Sequence, residues 1–187
     1  MHPSPSSRTF ALAALLVASL AAAAPVASAQ CAQYPIALST QSLSGAVPGT
    51  LLDDIWNGSQ PGNFGWLTWT GSPSEPTLVA SLTSPGDSAT YVNPFDASDT
   101  VLSAGDWAQG KPGVANSRGV RNGLDALVGI IITVPVWDRA EAQGNNTLYH
   151  IVGFADVAIV DYHLSGEDRI SALFLGMADC GGGGPPD

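Results

Sequence analysis

Residues Tyr149–Leu164 read YHIVGFADVAIVDYHL; after Ser165-Gly166-Glu167-Asp168 the chain continues RISALFLGM over Arg169–Met177. Two apolar runs rich in Val, Ile, Leu and Phe, parted by a polar turn, specify an antiparallel hairpin. Gly153 interrupts the first run and marks a bend or bulge. Upstream, Ile130–Trp137 is apolar on both faces, the pattern of a central, buried strand. Shorter runs at Tyr34–Leu38, Asn63–Thr70, Thr77–Leu82, Thr100–Leu102 and Gly105–Ala108 add candidate strands. Between them lie clusters of Gly, Pro, Asn, Asp and Ser, the punctuation of an all-β chain.

One helix interrupts this rhythm. Val120, Leu124, Leu127 and Val128 fall on one helical face, with Asn116 and Ser117 as N-cap candidates and Gly129 as the stop. Gly123 inside it costs roughly 1 kcal/mol against Ala, so the helix is expected to pack closely on the sheet. Leu51–Trp56 reads as a second, short helical turn. The expected fold is mostly β: an antiparallel sandwich or barrel-like sheet with one short packed helix over about residues 117–129.

The first 29 residues read as a signal peptide. Arg8 precedes the run Phe10–Ala24, in which Ser19 is the only polar residue, and Ala27-Ser28-Ala29 forms a cleavage site. The run is short and Ala-rich for a membrane span. Gln30 in front of Cys31 disfavours lipid attachment. Residues 30–180 then form a single domain, and Gly181–Asp187 is a flexible Gly/Pro tail. The reading is a secreted or periplasmic chain with no stable membrane insertion after leader cleavage. Cys31 and Cys180, the only cysteines, are expected to pair as a disulfide.

The chain carries 6 Lys+Arg against 16 Asp+Glu, a net charge of −10. Basic residues are too few and too scattered to neutralise phosphates, so no nucleic-acid partner is expected.

Candidate site residues follow from chemistry. Trp66 and Trp69 lie three apart, so an unbroken strand sends them to opposite faces and denies them a shared stacking platform. Trp56, Trp107 and Trp137 each adjoin a polar turn, and Trp66, Trp107 and Trp137 stand as candidates for binding a sugar ring. Asp96 and Asp99 could contribute to calcium ligation or simply shape their loop; Asp53-Asp54 is a second acidic pair. His150 and His163, 13 apart, would sit on opposite faces and roughly 43 Å apart in a straight strand, so they are not expected to cooperate. Asp138 can meet His150 if the strands flanking Arg139–Thr147 pair, which would begin general-base chemistry. No Ser or Cys sits in a recognisable nucleophile context. Arg118 and Arg121 are expected to form surface ion pairs. Asn57-Gly58-Ser59 and Asn145-Asn146-Thr147 match the glycosylation sequon.

Four phrases together carry a resemblance: Pro61-Gly62-Asn63-Phe64-Gly65-Trp66-Leu67, Gly105-Asp106-Trp107 with Gly110-Lys111-Pro112-Gly113-Val114, Val134-Pro135-Val136-Trp137-Asp138, and Ile151-Val152-Gly153-Phe154-Ala155. In this order the chain resembles the extracytoplasmic C-terminal region of TadE/TadG-like tight-adherence (Flp) pilus assembly proteins, and related secreted bacterial proteins of uncharacterised function. The resemblance spans roughly residues 60–177 and implies a bacterial envelope or extracellular domain with a binding or structural role. Those pilus proteins usually keep an N-terminal membrane helix, where this chain reads as having a cleavable leader. An envelope protein or glycan partner is one expectation. An exported hydrolase using Asp138 and His150, or a carbohydrate-binding module, is the alternative. No cofactor beyond calcium is suggested.

Overall fold

A computed structural model describes residues 31–56, 65–113, 115–143, 146–165 and 168–180. The leader, the Gly/Pro tail, both sequon asparagines and the start of the Asn63–Thr70 run lie outside these residues.

The hairpin read from the sequence is the backbone of the fold. β5 (Ile131–Gln143), β6 (Asn146–His163) and β7 (Arg169–Ala178) are three long antiparallel neighbours. β6 is eighteen residues long. β5 borders it along one side. The other side is shared: β4 (Trp107–Gly110) pairs with its first part and β7 with the remainder. β3 (Leu67–Thr68) pairs with β4, and β2 (Leu51–Leu52) pairs with β7. β1 (Leu38–Ser39) runs parallel to β5, which makes the sheet mixed. The sheet curls into a half-barrel because the run through β1 also meets the run through β3. Ala37 N donates to Gly65 O at 2.8 Å, and Leu67 N donates to Pro35 O at 3.0 Å.

Two helices, not one, cover part of the sheet. α2 (Arg118–Leu127) lies inside the span expected, capped by Ser117 Oγ, which accepts from Val120 N; Val120, Leu124 and Leu127 are buried. α1 (Glu75–Leu82) replaces the strand expected at Thr77–Leu82. Ser74 caps it by accepting from Thr77 N, and Pro76 sits in its first turn, where no amide hydrogen is needed. These signals outweigh the β propensity of Thr77 and Val79. Gly123 faces α1, not the sheet: a Cβ there would lie 2.9 Å from Leu82 Cβ, and one at Gly119 would lie 2.9 Å from Val79 Cγ2. The two glycines let the helices touch.

Other local expectations are corrected. Leu51–Leu52 is extended, held to β7 at Leu173 and Ala172, so Leu51–Trp56 does not begin as a helical turn. Thr100–Leu102 forms no strand. Tyr34–Leu38 pairs with β5 and with Gly65–Leu67, and only Leu38 belongs to a strand, β1. Most of Arg139–Thr147 continues the β5–β6 hairpin instead of forming a loop. Ile130 and Ile131 are more than half exposed, because no layer covers the first residues of that strand, whereas Ile132, Val134, Val136 and Trp137 are buried.

The sheet separates two apolar clusters. The larger joins Ile36, Leu52, Leu82, Leu124, Val134 and Phe174 under the helices. The smaller joins Leu67, Tyr91, Leu102, Trp137, Tyr149 and Ile151. Trp66 belongs to the first and Trp69 to the second, the opposite-face arrangement their spacing required. Cys31 and Cys180 are disulfide-bonded, with Cα atoms 5.3 Å apart, so the two ends of the domain meet. Among the described residues no helix is long and apolar enough to cross a membrane.

Candidate functional site

A defect in the β5–β6 ladder builds the site. Trp137 pairs with Ile151 and Arg139 with His150, so Asp138 is an extra residue with no partner. Bulges re-aim side chains that strict alternation would point away. Asp138 is turned toward His150, and its Oδ1 lies 2.7 Å from His150 Nδ1. The carboxylate orders the ring and holds a proton on Nδ1, which leaves Nε2 of the neutral imidazole as an acceptor.

His150 sits at the centre of a row across three strands, opposite Trp107 on β4 and Arg139 on β5. The Trp107 and His150 rings are 5.1 Å apart, and the Arg139 guanidinium lies 5.3 Å over the Trp107 ring. Phe95, 60% exposed, meets Trp107 edge to face at 5.8 Å. Tyr91, buried in the smaller cluster, donates from its hydroxyl to Trp107 O at 2.8 Å and fixes the strand from below. Burial raises the Tyr91 pKa well above the ordinary phenol range, and the Asp106 and Asp99 charges add to this. The hydroxyl therefore remains a donor.

The loop before β4 is held by its own carboxylates. Asn93 Nδ2 donates to Asp99 at 2.9 Å and to Asp106 at 3.3 Å, and Ser103 N donates to Asp106 at 2.7 Å. Partial burial raises the Asp106 pKa and the Asp99 charge adds to this, while His150 and the Ser103 N–H oppose it. Asp96 accepts from Ser98 N and Ser98 Oγ, which lowers its pKa. Asp96 and Asp99 thus spend oxygens on turn hydrogen bonds. Among the described residues no three His, Cys, Asp or Glu side chains converge on a metal position.

The remaining candidates fall elsewhere. Trp66 and Trp137 are buried, against Trp56 and Tyr149 respectively, so neither presents a ring face to solvent. Trp107 is the half-buried one of the five tryptophans. Asp53 and Asp54 line a polar cleft of about 360 Å³ with Gln41, Ser42 and Thr50, remote in sequence from the row. His163 is the last residue of β6, beside the β6–β7 turn and apart from the His150 pair. Its Nε2 is 2.6 Å from Ser165 O and 3.1 Å from Ser165 Oγ. Asp168 also acts on it electrostatically, so the turn has a Ser–His–Asp composition. A carbonyl that close requires the proton on Nε2, and a protonated Nε2 cannot take one from serine. That turn is structural. No serine, threonine or cysteine among the described residues bonds to His150.

Asp138, His150 and Trp107 are marked in the sequence; Arg139 and Phe95 share their surface without being marked there. The hairpin register, had it been fixed, would have put Arg139 beside His150. Phe95, an aromatic after Asn93-Pro94 in a loop, was the available signal for an exposed ring. Comparison with protein-family models, curated proteins and solved structures finds no match.

Proposed function

We propose that the chain is an extracytoplasmic binding domain whose ligand surface is the Trp107–His150–Arg139 row with Phe95 and Asp138, and whose ligand is a glycan. The observation that carries this reading is the segregation of the aromatics: Trp56, Trp66, Trp69 and Trp137 are at most 4% exposed, while Trp107 is half-buried beside an exposed phenylalanine. Sugars offer apolar ring faces edged by hydroxyls, which suits aromatic rings flanked by a guanidinium, an imidazole and a carboxylate. The Cys31–Cys180 bond fits an oxidising compartment. The resemblance to TadE/TadG-like pilus regions supports an envelope setting.

Glycan-array screening followed by calorimetry tests this. Trp107→Ala is expected to weaken binding by about 2 kcal/mol, about thirtyfold, as for a central aromatic contact, with an unchanged far-UV spectrum. Wild-type affinity in Trp107→Ala, or no glycan bound by the wild type, would defeat the proposal. The 2.7 Å Asp138–His150 contact favours a second reading, hydrolysis by a water activated at His150 Nε2. Turnover of a bound glycan by the wild type, abolished in His150→Ala even at saturating glycan, would establish it.

A further inference from the structure

We infer that the ligand of the Trp107 row carries a carboxylate, as a uronic-acid polysaccharide does, and that Arg139 is the residue that recognises it. This rests on the glycan reading above and adds the charge of the ligand.

Acids outnumber bases 16 to 6 in this chain, so an arginine has no shortage of carboxylates. Arg169 reaches Asp161 at 3.9 Å, and Arg121 bonds both the backbone and the side chain of Asn116. Among the described residues Arg118 and Arg121 have no carboxylate within ion-pair distance; what sets Arg139 apart is its place, next to Asp138 in sequence and over an aromatic ring. No carboxylate among the described residues lies within ion-pair distance of Arg139 either, although Asp138 is its immediate neighbour in sequence. The bulge accounts for this, because Asp138 is committed to His150. Arg139 is instead laid over the Trp107 ring.

A guanidinium held over an aromatic face by cation–π attraction spends none of its N–H groups on a carboxylate, so they are free to donate to a ligand. This contact restrains the side chain before any ligand arrives, so less rotamer freedom is lost on binding. The planar fork matches a carboxylate with two parallel hydrogen bonds. The two aspartates on the loop side of the row are already engaged, Asp99 by Asn93 and Asp106 by Asn93 and the Ser103 amide. The arrangement is therefore a held fork beside an exposed aromatic ring, Phe95, on which a sugar can lie. A pyranose with a carboxyl group at its edge satisfies both elements together.

The test uses oligomers of galacturonate, glucuronate and mannuronate, each beside its carboxyl-reduced neutral counterpart, with the whole domain in the oxidised state. At least one uronate is expected to bind tenfold or more tighter than its neutral partner. Arg139→Ala should erase that preference by weakening the uronate at least tenfold more than the neutral form, Arg139→Lys should restore only part of it, and Trp107→Ala should weaken both forms alike. Equal binding of charged and neutral oligomers, or a preference that survives Arg139→Ala, would overturn the carboxylate assignment while leaving glycan binding standing. Sulfated dextran bound as tightly as any uronate, with affinity collapsing in moderate salt, would also overturn it, because that is attraction to charge alone. Failure of every oligomer, charged and neutral, would bring down the glycan reading itself.

Discussion

Replacing both Cys31 and Cys180 by serine tests the fold most directly. The bond joins residues 149 apart in sequence. For a loop of that length the chain-entropy relation gives about 5 kcal/mol of stabilisation at 25 °C, more than most single contacts supply. Residual compactness in the unfolded chain reduces the effect, and the buried Cys180 adds a polar-burial cost when it becomes serine. In a domain of this size each kcal/mol moves the melting temperature by about 2–4 °C, so the double variant should melt about 10–20 °C below the wild type. Its spectrum at low temperature should remain β-rich. The backbone bond from Tyr34 N to Thr133 O, at 2.9 Å, holds the N-terminal run to β5 without help from the sulfurs. Thermal and urea unfolding followed by circular dichroism, with and without reductant, gives the measurement. A melting point within about 2 °C of wild type, or two reactive thiols in the denatured unreduced wild type, would refute the reasoning.

Gly65→Ala should cost about 2–4 kcal/mol in urea unfolding. Its φ is +77°, and the new Cβ would meet the Trp56 ring at 2.2 Å, so backbone strain and overpacking act together. Gly123→Ala should also destabilise, because about 1 kcal/mol of helix propensity is smaller than about 1–3 kcal/mol of overpacking against Leu82 Cβ; a gain in melting temperature would disprove the tight helix contact. Tyr162 donates to Asp125 Oδ1 at 2.5 Å, and burial, then this bond, push its hydroxyl up to about 12. A raised acid favours the folded state fully below its unfolded value of 10.0, and that contribution is lost as the pH rises from there through about 12. Tyr162→Phe should therefore cost about 1 kcal/mol at neutral pH and show a shallower alkaline loss of stability than the wild type; parallel pH curves would count against it.

The elements that sequence made legible are those whose signal is local and repeated. The β6–β7 hairpin announces itself by two apolar runs around a polar turn. α2 does so by the spacing of Val120, Leu124 and Leu127 behind Ser117, and the disulfide by the lack of any other cysteine. α1 is not legible because Thr77, Val79 and Leu82 carry β-like composition over a length that suits either structure. The Ser74-Glu75-Pro76 start was the deciding clue. The site was half visible. Asp138 and His150 were paired by the expectation that their strands meet, and they do. What alternation cannot encode is the extra residue at Asp138: a bulge depends on how two strands align, not on either strand alone. The same register puts Arg139 on Trp107, so the residue with the most distinctive setting was the one least marked in the sequence.

The closed ends of the domain also have a mechanical meaning. A pull on the chain before Cys31 and after Cys180 meets the sulfur–sulfur bond first, across Cα atoms only 5.3 Å apart. Tension then runs through that covalent shortcut, and the chain between the two cysteines, with its sheet and both helices, lies off the load path. Pulled at its two ends, the domain would transmit force while the surface around Trp107 keeps its shape. Reduction would transfer the load to the short pairings of the N-terminal run, on β5 and on Gly65–Leu67, and to β7 at the other end.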